Sequence, residues 1–359
     1  MALRILALVT DAYGSGGGIA QYNRDLCQAL AYCGHVDEVV VLTRNGKAAT
    51  DEVPNKVRQL PARNSKLVFA YQAIRTMRQH GPFDVIFCGH VYMVLLAALL
   101  SKMSGASLWL QLHGIEAWQR PKPLQRWAAG RARLITAVSR HTRSLFLAWA
   151  SCAPEAVKVL PNTVGKRFSP GPKTEALLGR YQMHGKKVLL TVSRLAASER
   201  YKGHDRVIQA VAELRSSHPD IVYVVAGEGD DRLRLEQLAR ELSVAGQVRF
   251  IGYVADSELP DLYRAADVFI MPSTGEGFGI VFLQALACGI PVIGGGSDGS
   301  RDPLRDGLDG RLVQVDKAGD VTIAISEMLQ GDIPPDINEN VFSHNNFQCL
   351  ISDITSKLI

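Results

Sequence analysis

Short apolar runs rich in Val, Ile and Leu recur along the chain, with helix-period segments between them. Strands buried on both faces under crossover helices leave that imprint, so the pattern predicts parallel sheets. In the first half the spacing predicts strands at 4–10, 39–43, 85–88, 108–112, 134–137 and 157–160, after which the pattern restarts. The second set is expected at 187–193, 221–226, 248–252, 268–271, 291–294 and, briefly, 310–313. Gly165, Pro170, Gly171 and Pro172 cluster between the two sets and mark a linker. A length of 359 residues also exceeds the usual single core. The expectation is an α/β protein of two Rossmann-like, doubly wound domains, 1–168 and 169–340, facing each other across a cleft. The segment 341–359, with one amphipathic helix at 343–357, is expected to cross back to the first domain. Ligands of such sheets bind outside the carboxyl ends of the strands.

A hydrophobic content of 47% with 21% charged residues excludes a disordered chain. Six cysteines without any C-x-x-C spacing argue against a disulfide framework or a zinc site. The run 3–9 reads as a buried strand in preference to a secretory signal, and the longest apolar run, 91–100, is too short to span a bilayer. A cytoplasmic protein without a membrane-spanning helix is expected. Charge changes the picture more. Residues 1–168 hold 21 Lys+Arg against 9 Asp+Glu, whereas the remainder holds 19 against 26. A basic half attracts anionic partners: lipid surfaces, diphosphates or nucleic acid. Its densest stretch, 119–146, carries Arg120, Lys122, Arg126, Arg131, Arg133, Arg140 and Arg143 and no acid, with Trp118 and Trp127 in or beside it. Cations with interfacial aromatics suit a helix resting on anionic lipid, against the plainer reading of a helix facing solvent.

The strongest local signal for chemistry is Pro272-Ser273-Thr274-Gly275-Glu276-Gly277-Phe278-Gly279, which follows an expected strand and opens an apolar helix. A glycine-rich turn at a helix N-terminus presents backbone N–H groups that hold phosphate or sugar oxygens. Glu276 beside them is either a cap or a grip on sugar hydroxyls. Counted along one helix, Gln284 lies about 12 Å further on and near the same face. Cations come from Ser193-Arg194 at a strand end and from Lys202-Gly203 after a short loop. A forked guanidinium and a mobile ammonium suit a diphosphate leaving group, whose charge they would stabilise as it develops.

Together, Ser193-Arg194 through Lys202-Gly203, Ala226-Gly227-Glu228-Gly229, Phe250 through Val254, the segment 272–279 and Ala287-Cys288-Gly289-Ile290-Pro291 resemble the retaining glycosyltransferases of family 4. Gly16-Gly17-Gly18, Leu112-His113-Gly114-x-Glu116, Ala137-Val138-Ser139 and Pro161-Asn162 extend the resemblance more thinly through the first half. It implies a GT-B fold and transfer from a nucleotide-sugar donor, bound mainly by the second half, to a lipid-linked or glycan acceptor. It places Gly16, Gly17 and Gly18 near donor phosphate and acceptor, and His113 against the transferred sugar. Arg194 and Lys202 fall on the diphosphate and Glu276 on the sugar hydroxyls. Glu116, Ser139, Asn162, Gly227, Tyr253, Val254, Gly277, Phe278 and Gly279 fall among the substrate-binding positions, with base contacts largely through the backbone near 252–254. The family's second glutamate is replaced by Gln284, which forfeits charge-assisted bonds to ribose. A second departure lies at 294–302, where Asp302 stands at the acidic position.

No Asp-x-Asp pair occurs in the sequence, which disfavours metal-bridged diphosphate binding and leads us to expect no metal and no cofactor. A dinucleotide fingerprint fails because Ile19 stands where its third glycine belongs. A nucleotide-sugar epimerase, or a non-catalytic sugar binder on the same scaffold, stays open, since fold does not fix function. Nucleic acid is not expected, for no recognition motif accompanies the basic charge.

Overall fold

The computed structural model describes residues 2–14, 16–45, 52–331 and 341–358. The chain divides into two units, Met1–Thr163 with Phe342–Ile359, and Val164–Val341. In the first unit the described residues form strands β1 (Leu3–Val9), β2 (Val36–Thr43), β3 (Val57–Leu60), β4 (Val85–Cys88), β5 (Ser107–Leu112), β6 (Leu134–Ala137) and β7 (Val157–Val159). They pair in the order β3-β2-β1-β4-β5-β6-β7, every pair parallel. The second unit holds β8 (Lys187–Val192), β9 (Ile221–Ala226), β10 (Val248–Gly252), β11 (Val268–Met271), β12 (Val292–Gly295) and β13 (Arg311–Val313), also parallel, in the order β10-β9-β8-β11-β12-β13.

Both orders reverse direction once, beside the first strand of each sheet: between β1 and β4, and between β8 and β11. Loops leaving those strands part to opposite faces and open a crevice at the carboxyl edge. The central strands are the apolar runs of the sequence, and β4, β9 and β11 are buried at every position. Each Val, Leu or Ile so enclosed stabilises the fold by about 1.5–3 kcal/mol. Strand β3, with the sequence VRQL, is partly exposed and was not expected: an edge strand needs apolar residues on fewer positions.

The tail helix His344–Ser356 is capped by Ser343, whose Oγ accepts from Asn346 N at 3.2 Å. It packs on the helix Gly18–Tyr32, with Phe347 edge-on to Tyr22 at 6.1 Å between centroids. The basic stretch 119–146 is not one helix. It runs through the helix Pro123–Ala129, the buried strand β6 and the helix Arg140–Leu147. Arg143 donates to Val157 O at 2.8 Å and to Pro154 O at 2.7 Å, and so braces β7.

Candidate functional site

The residues singled out in the sequence fall at the carboxyl edges of the two sheets, in loops that leave β1, β5, β6 and β7 in one unit and β8, β9, β10 and β11 in the other. In the first unit Gly16 and Gly17 have open space where a Cβ would stand, and Gly17 takes φ 102° as it caps the helix Gly18–Tyr32. That left-handed backbone favours glycine and leaves the entrance to the helix bare. His113 follows β5. Its Nε2 lies 3.0 Å from Gly89 O, which only accepts, so Nε2 carries the proton. Burial pushes the His113 imidazole down to about 4, against the opposing pull of Glu116, so the ring is neutral at neutral pH.

Glu116 turns back to the same loop, Oε1 accepting from His113 N at 2.6 Å. The His-Gly-x-Glu spacing thus closes a turn around Gly114, at φ 154°. Tyr22 meets His113 edge-on, 5.0 Å between centroids. A buried chain fixes Tyr22 in turn: its hydroxyl donates to Gln111 Oε1 at 2.7 Å, and Thr136 Oγ1 donates to the same oxygen at 2.6 Å. Neither Tyr22 nor Gln111 stood out in the sequence, where both read as ordinary element positions. Ser139 is fully buried and caps the helix Arg140–Leu147, its Oγ accepting from Thr142 N at 3.0 Å. Asn162 is buried with an Oδ1 that has no hydrogen-bond partner among the described residues, a state that costs about 1–3 kcal/mol and that a ligand donor would relieve.

The second unit gathers charge at the crevice between β8 and β11. Arg194 leaves β8 with an exposed side chain and bonds Glu199 Oε1. Lys202 Nζ lies 2.7 Å from the other oxygen, Glu199 Oε2, with a side chain only 11% exposed. One carboxylate therefore spaces the two cations, a role the sequence did not reveal because Glu199 reads as one more surface charge. Behind them runs a hydrogen-bonded chain. Ser193 Oγ meets His204 Nε2 at 2.9 Å, His204 Nδ1 meets Tyr223 O–H at 3.0 Å, and Tyr223 meets Thr191 Oγ1 at 2.9 Å. Burial holds His204 down at about 4, with Lys202 pushing the same way, so this chain is neutral.

The loop 272–279 follows β11 and is tied down from both sides. Thr274 N donates to Tyr201 O at 2.9 Å, and the Tyr201 ring lies where a Cβ on Gly275 would stand, 2.8 Å from its Cγ. From the β12 side, fully buried Asp298 accepts from Glu276 N at 2.6 Å and from Ser300 N at 2.9 Å. Asp298 thus ties the loop 272–279 to the β12 side, a role that did not stand out in the sequence. Gly279 takes φ 82°, outside the helical region, so the helix starts at Ile280 and spans Ile280–Ala287. Glu276 therefore stands in the loop and not on the helix with Gln284. The distance counted along one helix does not apply.

Burial pushes the Glu276 carboxyl up to about 7; Lys202 opposes the rise, while Asp298 and Glu199 add to it. Because this exceeds the ordinary 4.5, the group stabilises the fold fully below about pH 4.5, and that contribution is lost as pH rises through about 7. The Glu276→Gln variant escapes the loss. Its Tm relative to the native protein is expected to climb between about pH 5 and about pH 8, and a difference flat across a pH series would contradict a raised Glu276 carboxyl.

Gln284 is buried on its helix and accepts from the Tyr263 hydroxyl through Oε1 at 2.8 Å. Gly227, at φ 134°, brings its N–H to Gly252 O at 2.7 Å and packs on the Ser193 carbonyl, so the loops after β8, β9 and β10 interlock. Tyr253 projects from that junction 71% exposed, while Val254 and Phe278 are buried. Gly277 lies between Glu276 and Phe278, and its N–H turns toward the Glu276 carboxyl.

Two family models cover most of the chain: "Glycosyl transferases group 1" over residues 180–344 and "Glycosyl transferase 4-like domain" over 17–163. A GDP-mannose-dependent alpha-(1-6)-phosphatidylinositol monomannoside mannosyltransferase of Mycolicibacterium smegmatis is 32% identical over 267 residues, spanning 71% of this chain and 69% of that one. A D-inositol 3-phosphate glycosyltransferase of Pseudarthrobacter chlorophenolicus is 29% identical over 346 residues, 86% of this chain and 80% of that one. Among solved structures, Anabaena HepE in complex with UDP-glucose superposes with a TM-score of 0.80 at 22% identity, covering 99% of this chain and all of the other. The chain belongs to the group 1 glycosyltransferases, of the family 4 type with the GT-B fold.

Proposed function

We propose that the protein transfers a sugar from a GDP- or UDP-linked donor to a lipid-linked or glycan acceptor in cell-surface polysaccharide or glycolipid synthesis, with retention of anomeric configuration and without a metal ion. The observation that carries this reading is the cation pair Arg194 and Lys202, spaced by Glu199 beside Glu276 at the crevice of the six-stranded sheet. A diphosphate set there gains charge as the glycosidic bond breaks, and fixed cations stabilise it without reorganising. Glu276, ionised by Lys202 and the incoming sugar hydroxyls, accepts from those hydroxyls and holds the anomeric carbon in place. Retention follows from attack on the face the leaving group vacates, the departing phosphate oxygen taking the acceptor proton. The first unit is assigned the acceptor.

The relatives support the donor and acceptor classes: one is named for GDP-mannose and a phosphatidylinositol mannoside, and HepE holds UDP-glucose. Among the described residues no helix is long and apolar enough to cross a membrane. We place the enzyme at the cytoplasmic face, held peripherally by its basic first unit. A panel of GDP- and UDP-sugars scanned by thermal shift tests the donor class, since a bound donor raises Tm in proportion to ln(1 + [L]/Kd). No shift with any of them would overturn the reading.

Gln284 refines it. Its carbonyl already accepts from Tyr263, so a ribose hydroxyl meets an oxygen already engaged. A Gln284→Glu carboxylate accepts from Tyr263 with one oxygen and from ribose with the other. Donor affinity measured by calorimetry is expected to hold or rise, and binding more than about threefold weaker would contradict this placement.

A further inference from the structure

We propose that the first unit docks on anionic bilayers by inserting apolar side chains from the outer face of three neighbouring helices, with their cations paired to lipid phosphates. The inference rests on the membrane-side acceptor proposed above, and it centres the contact on apolar outer helix faces, of which only the helix Pro123–Ala129 belongs to the basic run 119–146. The helices Lys66–His80, Val94–Ser104 and Pro123–Ala129 cover one face of the seven-stranded sheet, and the middle one packs on both others. Their inner sides, among them Phe69, Ala97 and Ala128, share a single core.

The outer sides are the anomaly. Leu95, Leu99 and Met103, exposed at 40%, 49% and 46%, recur every fourth residue and form one stripe along the middle helix. Tyr71, Leu124 and Trp127, at 66%, 68% and 54%, are exposed on the two flanking helices. The middle helix, VLLAALLSKMS, is thus apolar nearly all round although one side faces outward. Scattered exposed apolar residues need no cause, but stripes on adjacent helices mark a surface that is covered in use.

Charge selects the cover. The three helices carry Lys66, Arg75, Arg78, Lys102 and Arg126 and not one Asp or Glu. Just beyond, the Arg131 guanidinium lies over the Trp127 ring, 5.0 Å from its centroid, a pairing of aromatic body and cation suited to the headgroup layer. A second copy of the chain is a poor fit, because a twofold contact would bring the same cations face to face. An anionic lipid surface satisfies both features at once.

Binding of the full chain to vesicles of phosphatidylglycerol and phosphatidylcholine, followed by flotation at low salt and at about 0.5 M salt, tests the proposal. The native protein is expected to float with anionic vesicles and to keep part of that binding at high salt, because insertion is not screened. The double variant Leu99→Gln with Trp127→Gln is expected to lose vesicle affinity at least about tenfold with Tm and donor binding unchanged, both side chains being exposed. Arg75→Ser with Lys102→Ser should lower binding to anionic vesicles and leave the salt-resistant fraction. The proposal fails if the Leu99/Trp127 variant floats as the native protein does, if all binding vanishes at high salt, or if the native protein is a dimer that this variant dissociates. Donor binding in the same samples separates the two readings: a native protein that binds no donor counts against the transferase, whereas one that binds donor but fails to float counts against the surface alone.

Discussion

Lys202→Ala is expected to slow sugar transfer by more than tenfold while the protein stays folded, and Arg194→Ala to do so by a smaller factor. A lost charge-assisted contact to a leaving group costs about 2–4 kcal/mol in the transition state, or roughly 30- to 1000-fold in rate. The ordering comes from geometry. The Arg194 side chain is 78% exposed, so solvent takes over part of its work, whereas Lys202 is almost enclosed and also opposes the raised pKa of Glu276. Without Lys202, Glu199 keeps only the exposed Arg194, Glu276 loses the cation that opposes its raised pKa and holds its proton more readily, and the diphosphate meets one fixed charge fewer. The loss should fall on kcat at least as heavily as on KM, since the charge it offsets develops in the transition state. Rates near normal for both variants would place the leaving group elsewhere.

Gly295→Ala is expected to damage the donor site from the far side of the loop. A Cβ at Gly295 would stand 1.7 Å from the Ser273 carbonyl oxygen, backbone against backbone, with no flexible side chain to give way. Ser273 is fully buried and its Oγ accepts from Gly275 N at 3.1 Å, so its displacement passes directly to Glu276. Overpacking of this kind costs about 1–3 kcal/mol of stability, and a shift of about 1 Å at a substrate-positioning loop costs on the order of a hundredfold in rate. Gly246→Ala is the control: no atom lies within 4 Å of its Cβ position, and its Tm should move little. A Gly295→Ala protein with the native Tm and donor affinity would contradict the packing described here.

The parallel sheets were legible because their central strands are continuous apolar runs, which only burial on both faces explains. What escaped had a common cause. Strand β3 is a partly exposed edge with a polar sequence, and Glu276 was read onto a helix because spacing alone does not show that Gly279 stops it with a positive φ. Arg194, Lys202 and the loop 272–279 were visible from strand ends and glycine spacing. Glu199, Tyr201, Asp298 and Tyr263 were not, since each acts through a partner 3 to 73 residues away that the fold alone brings near. The surface proposed to face lipid shows the same limit. Charge composition pointed to the first unit, but the run with most cations is split by a buried strand, and Arg143 is spent on backbone carbonyls.

The central claim is that this chain moves a sugar from a nucleotide to an acceptor, and product analysis by NMR after reaction with a nucleotide-sugar and a lipid-linked acceptor addresses it most directly. In the presence of a chelator, one nucleoside diphosphate should appear for each glycosylated acceptor, with the anomeric configuration of the donor kept in the product. An epimerised nucleotide-sugar with the acceptor untouched, an inverted linkage, or turnover that stops with the chelator would contradict the account.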